Sequence, residues 1–171
     1  MGHNALALTT TASNNTAVGY FALYANQSGG NSTAIGYKAL EVNTNSNNTA
    51  VGKNALTANT TGAYNTSVGS AALSANTTAD NNTALGYNEL EYPTTASYNT
   101  SVGYESLYAN TTGTLNVGVG NSALGANTTG DNGVAIGYNA LGANTTGDLN
   151  TAIGVNAMAN SLDNDRNVAV G

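Results

Sequence analysis

The 171-residue chain contains no cysteine and no tryptophan, and it has only one proline, one phenylalanine and one histidine. Without cysteine it forms no disulfide, binds no metal through thiolates and uses no cysteine nucleophile. Charged residues make up 7% of the sequence, against about 25% in an ordinary soluble domain. Three basic residues and a net charge of −6 argue against nucleic acid and anionic membranes as partners. No apolar run approaches the roughly 20 residues of a membrane span, and no stretch has the pattern of a signal peptide.

Four residue types dominate what is present. Asparagine occurs 29 times, alanine 28, threonine 25 and glycine 21 times. Such a polar composition is also found in disordered chains, but the order of the residues is strongly periodic. A small or β-branched pair ending in glycine recurs every 17 residues, except for one interval of 16. The glycines of this repeat are Gly2, Gly19, Gly36, Gly52, Gly69, Gly86, Gly103, Gly120, Gly137, Gly154 and Gly171.

Two further columns are in phase with these glycines. A leucine stands four residues after each of the first nine glycines, Met158 takes that place after the tenth, and asparagine stands seven after most of them. A 17-residue unit is too short for a helical hairpin, and its Thr-Thr-Gly-Asp-Asn segment does not continue a helix. The repeat therefore predicts an all-β fold, a parallel β-solenoid (β-roll) of about ten 17-residue coils.

Within each coil we expect Asn-Thr-Ala-Val-Gly to form one strand and Asn-Ala-Leu-x-Ala a second. Each glycine is a tight corner, or a close backbone approach that a Cβ would block. The residue before the glycine and the leucine column are an odd number of residues apart, so a bend at the corner would bury both. The predicted core is Val18, Leu23, Ile35, Leu40, Val51, Leu56, Val68, Leu73, Leu85, Leu90, Val102, Leu107, Val119, Leu124, Ile136, Leu141, Ile153 and Met158.

The repeat is in phase over residues 1–171, which predicts a single solenoid domain without distinct caps. Uncapped solenoids leave unpaired strand edges at their ends. We therefore expect association with copies of the same chain, by head-to-tail stacking, as a homotrimer, or both.

The segments Asn167-Val168-Ala169-Val170-Gly171 and Gly133-Val134-Ala135-Ile136-Gly137 resemble a known motif. It is the Ser/Asn-Val-Ala-Ile-Gly motif of the head repeats of trimeric autotransporter adhesins, which form the YadA-like left-handed parallel β-roll. Similar arrays occur in phage tail fibres and related fibre proteins. The resemblance implies an extracellular, non-enzymatic fibre or adhesive stalk at a cell or virion surface, commonly a homotrimer. Most units here carry threonine where the adhesin motif has its first valine, and the unit is longer.

Several residue columns are candidate sites. Asparagines followed by Thr-Thr are candidate glycosylation sites, at Asn59, Asn76, Asn110, Asn127 and Asn144. Threonine columns on a flat solenoid face are typical of ice-binding surfaces, but adjacent Thr-Thr pairs would point to opposite sides of a strand. Tyrosines after the corner glycine form a stripe that would stack on sugars or cover the thin core. Acidic loops could supply oxygen ligands for calcium, although solvated turn residues are the simpler interpretation.

His3 stands where five other units have tyrosine, and no serine or threonine has a base nearby in the pattern, so the sequence predicts no enzyme, no cofactor and no metal site. The favoured function is a structural or adhesive segment of an extracellular fibre, which associates with itself and presents repeated polar columns for multivalent contact with a surface or glycan receptor. The alternative is a ligand-binding solenoid that recognises ice or carbohydrate.

Overall fold

A computed structural model describes residues 2–92 and 95–171. Ten parallel strands form one sheet in sequence order, so nine successive turns of chain connect β1 to β10. This confirms the predicted all-β parallel solenoid with its 17-residue spacing. The strands are β1 (Thr16–Val18), β2 (Thr33–Ile35), β3 (Thr49–Val51), β4 (Thr66–Val68), β5 (Thr83–Tyr87), β6 (Thr100–Tyr104), β7 (Val117–Val119), β8 (Val134–Ile136), β9 (Thr151–Ile153) and β10 (Val168–Val170).

Equivalent residues pair between neighbouring strands. Thr16 pairs with Thr33, Ala17 with Ala34 and Val18 with Ile35, and the same register continues to β10. The coil from Gly36 to Gly52 is one residue shorter, yet Thr33 still pairs with Thr49. The missing residue is therefore absorbed in the turns, and the sheet is continuous.

Each coil has one strand rather than two, so the predicted second strand is wrong. The Asn-Ala-Leu-x-Ala segments form turns, in which the leucine column adopts left-handed backbone angles, with φ of +49° at Leu23 and +52° at Leu124. The residue two before each leucine is also left-handed, with φ of +56° at Phe21. This conformation costs roughly 1–2 kcal/mol in an L-residue. Burial of the leucine side chain offsets that cost.

The glycine column forms the predicted corner. From Gly19 onwards its φ angles lie between +128° and +145°, a region that residues with a Cβ rarely adopt. A Cβ on Gly120 would also lie 2.6 Å from the carbonyl oxygen of Gly137 in the next coil. Both conformation and space therefore require glycine here.

The interior is lined by small residues and by the leucine column. The second residue of each strand is alanine, serine or glycine and lies toward the interior, and a further column, mostly alanine, precedes the leucines. The predicted core residues that are fully buried are Leu23, Leu40, Leu56, Leu73, Leu90, Leu107, Leu124 and Leu141, and Met158 packs against them.

The other half of the predicted core is wrong. The residue before each corner glycine points away from the interior, because the alanine beside it in the strand points inward. The bend at the glycine does not reverse this alternation. Val18, Ile35, Leu85, Ile136 and Ile153 are 38–47% exposed, and Val51, Val68, Val102 and Val119 are half-buried.

Two columns of asparagine complete the interior. In the first, Asn127 Nδ2 donates to Asn110 Oδ1 at 2.9 Å, and Asn144 Nδ2 donates to Asn127 Oδ1 at 2.9 Å. In the second, Asn48 Oδ1 accepts the backbone N–H of Asn65 at 3.0 Å, and the pattern repeats in the following coils. These bonds satisfy buried amides and tie successive coils together.

Candidate functional site

The most distinctive surface is the side of the sheet that faces away from the interior, here called the outer face. It carries the first and third residues of each strand, together with the residue after the corner glycine. In β5 these are Thr83, Leu85 and Tyr87, which alternate with the inward-facing Ala84. Parallel register repeats the set in every coil, so the outer face consists of three straight columns along the rod.

The first two columns are almost entirely apolar or hydroxyl-bearing. The first is threonine in seven strands and valine in three, and the second is valine, isoleucine or leucine throughout. None of these twenty side chains is buried. A monomer rarely exposes so large a contiguous apolar surface without a binding partner.

The third column contains tyrosines that stack on one another. The rings of Tyr20 and Tyr37 lie 5.4 Å apart with planes 8° from parallel, and those of Tyr87 and Tyr104 lie 5.6 Å apart. His3 stacks on Tyr20 at 5.6 Å, which is the contact that the structure gives to the histidine. The rings face each other along the rod, so stacking covers ring faces that a sugar would need.

The outer face is nearly free of charge. None of the nine acidic residues stands in its three columns, and of the three basic residues only Lys53 does, in the tyrosine column. The acidic side chains are on the turns and loops, or inside the coil. A protein with a net charge of −6 thus keeps its carboxylates away from this face.

The five candidate glycosylation asparagines belong to the first internal column, and the prediction at these sites is contradicted. Asn59, Asn76, Asn110 and Asn127 are fully buried, and Asn144 is 1% exposed. A glycan attaches at Nδ2, and in Asn59 that atom donates to Asn43 Oδ1 at 2.8 Å and to the Gly62 carbonyl at 2.9 Å. The folded coil leaves no room for a sugar at this position.

The Thr-Thr pairs lie on a turn and do not alternate as residues of a strand would. Both members of the pair Thr60-Thr61 are exposed. The Thr60 hydroxyl donates to the carbonyl of Thr77 in the next coil at 2.9 Å, and Thr128 does the same to Thr145. The expectation that neighbours point to opposite sides is therefore wrong, because it assumed a strand.

The acidic loops bond to neighbouring coils. Asp148 Oδ1 accepts the backbone N–H of Asp131 at 2.8 Å, and Asp165 Oδ1 accepts that of Asp148 at 2.8 Å. Hydroxyls of Thr145 and Thr146 donate to Asp163 and hold the pKa of that carboxyl below its usual value. Over residues 2–92 and 95–171 no three acidic or histidine side chains come together as a metal site would require.

Comparison of the chain with protein-family models, with curated proteins and with solved structures finds no match. In the described part of the chain, no helix has the length and apolar character needed to cross a membrane.

The outer face was missed by the sequence reasoning, although one signal was available. In all ten units the second strand residue is alanine, serine or glycine, whereas its two neighbours are larger and vary, which indicates that the second position is the crowded one.

Proposed function

We propose that this solenoid is a structural segment of an extracellular fibre, in which copies of the chain pack side by side through their outer faces. The observation that carries the proposal is the exposed column of valine, isoleucine and leucine along ten strands. The resemblance to adhesin head repeats favours the same function and implies a trimer.

The size of the outer face suits a stable contact between copies. Ten strands at about 4.8 Å spacing give a length of roughly 48 Å, and three columns along a strand span about 13 Å. The product is roughly 600 Å², comparable with the about 800 Å² that each partner buries in a standard protein–protein interface. Burial of its exposed methyl groups would supply the main favourable term.

Charge also favours a second copy as the partner. Two chains that each carry a net charge of −6 repel one another through most surfaces. The outer face is the surface from which carboxylates are missing, so copies meet there without burying like charges. Its threonine hydroxyls lie at the edge of the apolar column, where they can bond across the contact or to water.

Association through the outer face leaves the threonine-rich turns exposed. The second threonine of such pairs, for example Thr61, Thr112 and Thr129, is exposed, and the pair recurs at the same position in most coils. A fibre would present these hydroxyls in rows, so that weak contacts with a surface add together. This is the adhesive part of the proposal.

Sedimentation equilibrium of the intact chain tests the proposal. We expect a mass that is a multiple of 17.0 kDa, and a return to 17.0 kDa in the double variant Leu85→Lys/Ile136→Lys. Both side chains are exposed, so the coil accepts lysine, but association would bury the new charges.

The matched control is Thr61→Lys/Thr112→Lys, which adds the same two charges on the exposed turns. It should keep the mass of the unmodified chain. A mass of 17.0 kDa for the unmodified chain at every concentration would exclude side-by-side packing, and equal masses for the two double variants would show that another surface is the contact.

Ice binding is a second candidate, because the strands of the outer face carry a regular row of threonines, whereas the Thr-Thr pairs lie on turns. Thr-x-Val or Thr-x-Ile repeats in register along a face with few charges, which presents hydroxyls and methyls at regular intervals. Thermal hysteresis by a 17.0 kDa monomer, abolished by Leu85→Lys/Ile136→Lys, would favour this function. An associated particle without hysteresis would favour the fibre.

A further inference from the structure

One coil differs from the others inside the solenoid. At the position three residues after the corner glycine, eight coils carry alanine. The coil that begins at Gly86 carries Glu89 there, and the following coil, which begins at Gly103, carries Ser106. The Glu89 side chain is fully buried. A glutamate is rarely fully buried unless it is paired, and no charged side chain contributes to its pKa.

The groups packed around Glu89 are neutral. They are Ser101 on β6 and Ser106 in the turn that follows, while Ala72 holds the same position in the preceding coil. Glu105 forms a hydrogen bond with the exposed Tyr104 and raises its pKa, so Glu105 lies toward the outside of the coil, and Glu91 lies beside Tyr108.

A count of protons shows which form of Glu89 fits this site. Ser101 Oγ contacts both Glu89 Oε2 and the Ser106 carbonyl oxygen, the latter at 2.9 Å, but a hydroxyl has one proton to donate. If Glu89 is a carboxylic acid, its Oε2–H donates to Ser101 Oγ, and Ser101 donates to Ser106. If Glu89 is ionised, one of these acceptors loses its proton, and Glu89 Oε1 already has no partner.

The first asparagine column is also interrupted beside this coil. Asn76 Oδ1 is buried without a partner, and the next position of its column is Pro93, which lies outside the described residues and has no side-chain amide. Glu91 Oε2 is buried without a partner as well. Each such atom costs about 1–3 kcal/mol, so this coil is less stable than a coil in which the corresponding atoms are all hydrogen-bonded.

We propose that the coil from Gly86 to Gly103 is a pH-sensitive joint, closed while Glu89 is protonated and opened locally when Glu89 loses its proton to water. Opening lets the carboxylate reach solvent, which satisfies both of its oxygens. The coils that have alanine at this position stay closed. A fibre built from such chains would bend or become accessible at one defined place.

The direction of the pH effect follows from the chemistry of the site. Burial raises the pKa of Glu89 from 4.5 to about 7, while hydrogen bonds from the Ser101 hydroxyl and from the backbone N–H of Ser106 oppose the rise. The stability that protonated Glu89 gives to the closed state is therefore fully present below pH 4.5, declines as the pH rises toward 7, and is lost above pH 7. The opening equilibrium should change by up to about 300-fold across this range.

Native-state hydrogen exchange at pH 5 and pH 8, corrected for the intrinsic exchange rate, tests the proposal. The amides of residues 84–90 and 101–107 should lose protection at pH 8, while those of residues 33–40 should not. In Glu89→Gln, which is neutral at every pH, the difference should vanish. Glu105→Gln removes a carboxylate from the outside of the next coil and should keep the full pH effect.

Glu89→Ala is the second variant, because alanine already occupies this position in eight coils. It should be protected equally at both pH values and more strongly than the unmodified chain at pH 8. A pH effect of unchanged size in Glu89→Gln or Glu89→Ala, or equal protection of the unmodified chain at pH 5 and pH 8, would overturn the proposal.

Discussion

Strand β8 points Ala135 into the solenoid and carries Val134 and Ile136 on its outer face, and the same division recurs along the sheet. Inside, the side chains are small, the leucines are fully buried and the asparagines bond from coil to coil. Outside, larger apolar side chains remain partly exposed in straight columns. The comparison shows that the most hydrophobic residues of this repeat do not all serve the fold of the single chain. About half of them form a surface, and a surface of this kind favours a partner.

The sharpest way to test this division is one substitution made on both sides. Leu124→Asp buries an uncompensated charge and removes a leucine from the core, so we expect a loss of about 5 kcal/mol or more in unfolding free energy. Val119→Asp, five residues earlier on the outer face, should cost under about 1 kcal/mol in a dilute monomer. Urea denaturation followed by circular dichroism measures both. Equal losses would contradict the assignment of the two sides.

A smaller effect is expected at the corner. Gly120→Ala places a Cβ against the Gly137 carbonyl oxygen and forces φ near +129° on an alanine, so we expect a cost of about 3 kcal/mol. Gly125→Ala is the control, because the equivalent residue two coils later is already Ala159. It should change the unfolding free energy by less than about 0.5 kcal/mol. If both variants unfold at the same urea concentration, the corner is not the constraint described here.

The internal amides should give the smallest of the three effects. Asn127→Ala removes hydrogen bonds to Asn110 and Gly130 and leaves Asn144 Nδ2 with only its bond to the Gly147 carbonyl, with an expected cost of about 2 kcal/mol. Asn121→Ala changes an exposed asparagine of the same coil and should be nearly neutral. Thermal unfolding of the two variants measures the difference. An Asn127→Ala variant as stable as Asn121→Ala would show that the column contributes nothing.

The sequence was enough to predict the period, the parallel solenoid, the glycine corner and the buried leucines. These follow from strict spacing and from residues that have one physical use, such as glycine where a Cβ does not fit. It was not enough to place Val18 or Asn59. Valine is hydrophobic and asparagine is polar, so composition predicts the reverse of what the narrow coil imposes. The left-handed backbone at Leu23, which removes the predicted second strand, depends on packing between coils and has no local sequence signal.

Glu89 illustrates the same limit. In the sequence it is one acidic residue among nine, and only its position in the repeat distinguishes it. Its burial follows from the register, since Ala72 and Ser106, at the same position in the neighbouring coils, are also fully buried. Alignment of the repeat units would have identified it, because Glu89 is the one charged residue in a column that otherwise holds alanine and serine.

Thiol labelling on this cysteine-free chain tests the central claim most directly. In Ile136→Cys the new thiol lies on the outer face, and in Thr129→Cys it lies on an exposed turn. If copies pack through their outer faces, Ile136→Cys should react with a maleimide much more slowly than Thr129→Cys, and dilution to the monomer should remove the difference. Labelling of Ile136→Cys at the rate of Thr129→Cys at every concentration would contradict the account.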